Sequence, residues 1–166
     1  MKRIMNALAM VLICAAWVSA QVCTIDEAPE IRGLKLGMKR KAFLAKFPGT
    51  EPINMFNRQE LSRVRGFSGL EALVFRINND TLILDQLELR YVGLSGGIDR
   101  LTLRVGRELG LPHDAWKVDG EKAEMQCLKF TVTVDAKTNA YTITDTEGQK
   151  YWDSMREAAE RNKDRP

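Results

Sequence analysis

Histidine is nearly missing from this chain: among 166 residues, His113 stands alone. A serine–histidine–acid hydrolase would have to be built on that one imidazole. One histidine and a few distant cysteines cannot make an ordinary zinc shell. Carboxylates are plentiful, yet no stretch has the Asp-x-Asp-x-Asp-Gly spacing of a calcium loop. No metal and no cofactor is therefore expected. Strong net charge is lacking too. The formal charge is +3, and it falls to +1 without Lys2 and Arg3. That near-balance argues against a nucleic-acid partner, whose phosphates demand a net basic face.

The one long run without charge lies at the start. Lys2 and Arg3 precede an apolar stretch, Ile4 to Val18, broken only by Asn6, and Val18-Ser19-Ala20 offers the small residues at which a signal peptidase cuts. Residues 1–20 are expected to be a signal peptide, with Gln21 as the new terminus and a periplasmic or secreted destination. Left uncut, the run is just long enough to span a bilayer, which takes about 20 apolar residues. Membrane contact is expected only in that case. Lipid attachment at Cys23 is not expected, because bulky Val22 occupies the place where a lipoprotein signal has a small residue.

Of the three cysteines, Cys14 falls in the leader, leaving Cys23 and Cys127 in an oxidising compartment. A disulfide between them is the expectation. In the loop-entropy picture it would stabilise the fold by about 4–5 kcal/mol. The alternative is a buried Cys127 acting as a small hydrophobe.

Beyond the leader, periodicity gives an order of elements. Met38 opens a stretch with Ala42, Phe43 and Phe47 at helical spacing, stopped by Pro48-Gly49. Glu51 to Asn57, with Pro52 and two asparagines, reads as a loop, and Leu61 to Arg65 as a short strand. Leu73, Phe75 and Ile77 alternate with Ala72, Val74 and Arg76. After the Asn78-Asn79-Asp80 turn, Leu87, Leu89 and Tyr91 alternate with Glu88 and Arg90, which together predict an antiparallel hairpin. Ile98, Leu101, Val105 and Leu109 predict an amphipathic helix closed by Gly110 and Pro112. Leu128, Phe130, Val132 and Val134 form a strand that returns through Tyr141 and Ile143, making a second hairpin.

The sum is an α+β fold, an antiparallel β-sheet built from hairpins with two short helices packed on one face. A single domain covers residues 21–148, and a charged C-terminal helix or tail covers 149–166, with Tyr151, Trp152 and Met155 as its sizeable apolar groups. There are no internal repeats.

Ile31-Arg32-Gly33-Leu34-Lys35-Leu36-Gly37-Met38, followed by Phe43, Phe47, Pro48 and Gly49, resembles the opening of an uncharacterised exported bacterial family. Gly69-Leu70 and Leu109-Gly110-Leu111-Pro112 ahead of a tryptophan look like it as well. At greater distance the Leu-Gly-Met opening is similar to the BamE/SmpA outer-membrane assembly domain and to the β-lactamase-inhibitor-protein fold. That resemblance implies small helices on an antiparallel sheet and a protein-binding role without catalysis. Lys39 departs from the pattern, which places Ser or Thr there to cap the helix; a cation at a helix start is unfavourable by a few tenths to about 1 kcal/mol.

Candidate chemistry is sparse. Gly93-Leu94-Ser95-Gly96-Gly97 matches the G-x-S-x-G elbow of hydrolases and falls between a predicted strand and helix. His113, however, lies only one helix later, the neighbouring strands read as antiparallel, and the chain is short for that fold; a glycine-rich connection is the plainer reading. His113 beside Asp114 could serve as a general base, or simply sit exposed in a loop. Lys35, Lys39, Arg40, Lys41 and Lys46 cluster around the first helix and could meet an anionic lipid, a cell-wall polymer or an acidic protein patch. The bland alternative is a solvated helix face. The favoured reading is a non-enzymatic exported domain binding an envelope or extracellular protein, or another envelope component. Its rivals are a small extracytoplasmic hydrolase using Ser95 or His113, and a structural accessory domain. The sequence does not fix the oligomeric state.

Overall fold

The computed structural model describes residues 23–56, 59–64, 68–78, 80–93 and 96–163. The predicted leader and Ser95 lie outside the described residues. Within them are helix α1 (Arg40–Lys46), strands β1 (Glu51–Phe56), β2 (Gln59–Val64), β3 (Leu70–Asn78) and β4 (Ile83–Tyr91), and helix α2 (Gly97–Leu109). Strands β5 (Lys117–Asp119), β6 (Lys122–Gln126), β7 (Phe130–Asp135) and β8 (Ala140–Asp145), then helix α3 (Thr146–Lys163), complete the order. The strands form one antiparallel sheet in the order β1-β2-β3-β4-β8-β7-β6-β5.

Directly opposed residues of antiparallel strands share a face, so the register defines the core. One row runs Leu73, Leu89, Tyr141, Val134, Ala123, and the next Phe75, Leu87, Ile143, Val132, Met125. All ten are buried. The alternation read from β3, β4, β7 and β8 is thus the core face of the sheet. Helices α1 and α2 cover it. Phe43, fully buried, lays its ring 4.0 Å from that of Phe75, and burial of such a side chain is worth about 1.5–3 kcal/mol. Helix α2 inserts Leu101, Val105 and Leu109. It ends at Gly110, whose φ of 66° is the left-handed cap the sequence predicts.

Seven residues are too few for a helix to persist alone. Backbone bonds moor α1 to the β3–β4 hairpin: Gly37 N–H to Leu84 O at 2.8 Å, Arg40 N–H to Leu82 O at 2.8 Å, and Leu84 N–H to Met38 O at 2.9 Å. The helix thereby sits at the hairpin tip. Lys39 offers no side-chain acceptor, and the first turn of the helix has no side-chain cap.

Four expectations are corrected. Residues 51–56 are an edge strand, not a loop. Pro52 misled because proline suits an edge, where a missing N–H costs nothing, and a bulge follows between Pro52 and Asn54. The second hairpin is preceded by another, β5–β6, turning at Gly120, where Ala123 and Met125 point to the core. Leu128, expected in the strand, is 59% exposed in the β6–β7 turn, and β7 starts at Phe130. The C-terminal helix also begins at Thr146, three residues before the predicted 149, and is one continuous helix to Lys163.

The opposite face of the sheet carries Val74 and Arg76 from β3, Glu88 from β4, and Thr142 and Thr144 from β8. Helix α3 lies against this side, with the Trp152 ring 5.1 Å from the Arg76 guanidinium.

Candidate functional site

The mooring of α1 beside the β3–β4 turn creates the most distinctive surface among the described residues. Lys39, Arg40, Lys41, Leu44, Thr81 and Leu82 line a groove of about 490 Å³. Its apolar floor includes half-buried Leu44 and Leu82, the latter 52% exposed, and its rim is cationic. Leu82 also has a φ of 55°. A branched residue in the left-handed region carries a strain of about 1–2 kcal/mol. The turn enforces it: Asn78 Oδ1 accepts the N–H groups of Asp80 (2.9 Å) and Thr81 (3.2 Å), and the Leu82 N–H bonds Asn78 O at 2.7 Å. A strained, exposed leucine thus stands beside three cationic side chains.

Of the five predicted basic-patch residues, the groove gathers Lys39, Arg40 and Lys41. The other two are used elsewhere. Lys46 Nζ donates to Gly33 O at 2.6 Å, and Lys35 pairs with Glu27 at 2.5 Å. The Lys35 partner holds the Glu27 carboxyl below its usual range. Lys35 instead lines a charged cleft of about 190 Å³ with Asp26, Glu27 and Lys129. There Asp26 accepts from Lys129 at 2.9 Å and raises the lysine's pKa.

Cys23 and Cys127 form a disulfide, S–S 1.98 Å, both nearly inaccessible. The bridge joins the first described residue to the β6–β7 turn. It is compatible with an oxidising compartment, and no helix among the described residues is long and apolar enough to cross a membrane. His113 and Asp114 are exposed in the loop between α2 and β5, well away from the basic groove in the chain and outside its lining. Among the described residues, no group of three His, Cys, Asp or Glu could hold a metal ion.

Two polar constellations escaped sequence reading. On the core face, Tyr91 donates to one oxygen of Glu108 and Tyr141 to the other, the latter at 3.2 Å. The Arg104 guanidinium covers the Tyr91 ring at 4.3 Å. Burial, reinforced by the Glu108 carboxylate, pushes the pKa of Tyr91 far up; burial, the Tyr91 hydroxyl and Glu108 do the same for Tyr141. Such phenols are poor acid–base catalysts near neutrality and good latches between α2 and the sheet.

On the other face, Arg76 Nε bonds Asp85 Oδ1 at 2.8 Å, with the side chains 3% and 1% exposed. A register shift after Arg76 leaves Asp85 as the extra residue of β4, which turns it toward Arg76. Burial raises the Asp85 carboxyl above its ordinary range, Arg76 opposes, and Asp145 adds to the rise. The signal was present: an arginine inside Leu73-Val74-Phe75-Arg76-Ile77 and an aspartate inside Ile83-Leu84-Asp85 mirror each other about the hairpin turn.

No protein-family model matches the chain, and no curated protein or solved structure matches it either.

Proposed function

We propose that the protein is a non-enzymatic exported domain that binds an acidic segment of another envelope or extracellular protein through the basic groove at the β3–β4 tip. The observation that carries this reading is the groove itself. Lys39, Arg40 and Lys41 surround an apolar floor that includes a strained, half-exposed Leu82. Electrostatic complementarity would steer an acidic partner, and the leucine supplies apolar surface to bury on contact. The resemblance of the Leu-Gly-Met opening to protein-binding exported domains points the same way, and the predicted leader supplies the compartment.

The reading is tested with tagged mature protein and an envelope extract. Wild type is expected to retain a specific partner that a Leu82→Glu, Lys41→Glu double variant loses, with the fold checked by circular dichroism. Retention should fall as salt is raised, since exposed charges are screened beyond about 10 Å at 0.1 M salt. A partner held equally by the double variant removes the groove from the interface. No partner at all counts against the binding role.

A further inference from the structure

The basic groove beside the β3–β4 turn is small. Six residues line it, and its volume of about 490 Å³ lies among those of ligand pockets, roughly 300–1,000 Å³. Two folded surfaces that associate stably need about 20–30 residues on each side. The groove is therefore sized for an inserted segment and not for the face of a folded domain. Its apolar lining is Leu44 and Leu82, enough to cover one large side chain. An amphipathic helix would need apolar contacts repeated at i, i+3, i+4 and i+7, and a lipid acyl chain a longer apolar wall. An extended chain that lowers one side chain onto the two leucines meets neither obstacle.

Charge and backbone define the rest of the occupant. None of the six lining residues is acidic, and Lys39, Arg40 and Lys41 are cationic. Lys39 is extended, while Arg40 and Lys41 begin α1, so their charges spread around the helix start. Carboxylates on either side of the apolar residue match that spread better than one anionic group. Leu82 is the second clue. At a φ of 55° and 52% exposure, an asparagine would fit the backbone with less strain and meet water better. Backbone strain persists where its surroundings enforce it, and it concentrates at ligand contacts. We propose, building on the protein-binding reading of this groove, that it takes a short extended peptide with one large apolar side chain between aspartates or glutamates. Leu82 is the residue on which that side chain seats.

The test is a heteronuclear NMR titration of the mature protein with three blocked pentapeptides. One has leucine at its centre flanked by aspartates and glutamates; the second replaces that leucine by alanine; the third replaces the acids by their amides. The first should give saturable shifts centred on the Lys41, Leu44 and Leu82 amides, and each of the others should bind about tenfold more weakly. Leu82→Asn, which suits the left-handed backbone, should keep the urea midpoint at or above that of wild type and weaken the first peptide about tenfold. Equal binding of the three peptides, or undiminished binding by Leu82→Asn, overturns the proposal. A midpoint well below wild type overturns the role of Leu82, for then the fold itself needs the leucine. Sedimentation with phosphatidylglycerol vesicles, without any response to the peptides, would assign the groove to a membrane surface and overturn it as well. If wild type holds an extract partner that the Leu82→Glu, Lys41→Glu variant loses, yet no peptide binds, the groove still serves a protein and only the short-segment inference falls.

Discussion

Tyr91 and Tyr141 hang from neighbouring strands and converge on one carboxylate of α2. Each bond to a charged acceptor is worth more than a neutral one, and its dependence on the phenolic proton can be read in solution. An unfolded tyrosine ionises near pH 10. Both phenols are raised in the fold, so below that pH both states keep the proton and the stabilisation is whole. Above it, the unfolded chain releases protons that the fold retains, and stability falls by about 1.4 kcal/mol per pH unit for each tyrosine. Tyr141→Phe removes one of these titrations. Urea denaturation between pH 8 and 11.5 should show wild type more stable than Tyr141→Phe at the lower end, with the gap closing above pH 10. A constant gap would mean that the hydroxyl does not feel its surroundings in this way. Alternation had already placed both tyrosines on the core face. Nothing in the spacing of Glu108, on the polar side of the predicted helix, revealed that it reaches over to them.

Helix α3 shows how far periodicity can lead and where it stops. It spans Thr146–Lys163 without one buried residue, so hydrophobic pattern could neither fix its start nor seat it. Its start is set by the Asp145 cap and by the bond from Thr146 N–H to Lys129 O at 2.9 Å, the second of which is a tertiary contact. Its seat depends on Gly148, where a side chain would meet Asp85. Gly148→Ala is expected to lower stability by about 1–3 kcal/mol, the usual range for overpacking a tight contact, and to redshift Trp152 emission as the first turn lifts from Arg76. Unchanged emission and an unchanged urea midpoint would show that α3 is not held at this point. The same logic explains the elements that were misread. Strand β1 carries a proline that only an edge position tolerates, and β5 is three exposed residues that pair with β6 across the Gly120 turn. Both draw their strand character from a neighbour, which local sequence does not contain. The basic groove has the same origin: its lysines were legible, but Leu82 joins them only because the hairpin tip folds beside α1.

For the molecule as a whole, the disulfide closes a separation of 104 residues, and loop entropy alone would assign it about 4–5 kcal/mol. What it clasps argues for less. Between Cys23 and the buried pair Ile31 and Leu34, the segment adds half-buried Ile25 and Ala28 to the edge of the core, together with the exposed ion pairs Asp26–Lys129 and Glu27–Lys35 and a 3.3 Å bond from Leu128 N–H to Ile25 O. Exposed pairs of this kind are screened by solvent and contribute little. Without the bridge, this strap can detach while the eight-stranded sheet and its two core-face helices stay folded, since their apolar rows do not include it. A Cys23→Ala, Cys127→Ala variant should therefore fold and lose about 2–3 kcal/mol, less than the loop-entropy figure. By hydrogen exchange, the Leu128 amide should lose protection far more than the amides of β3, β4 and β8. Uniform loss across the sheet would show instead that the bridge holds the entire domain, with the strap as part of its cooperative core.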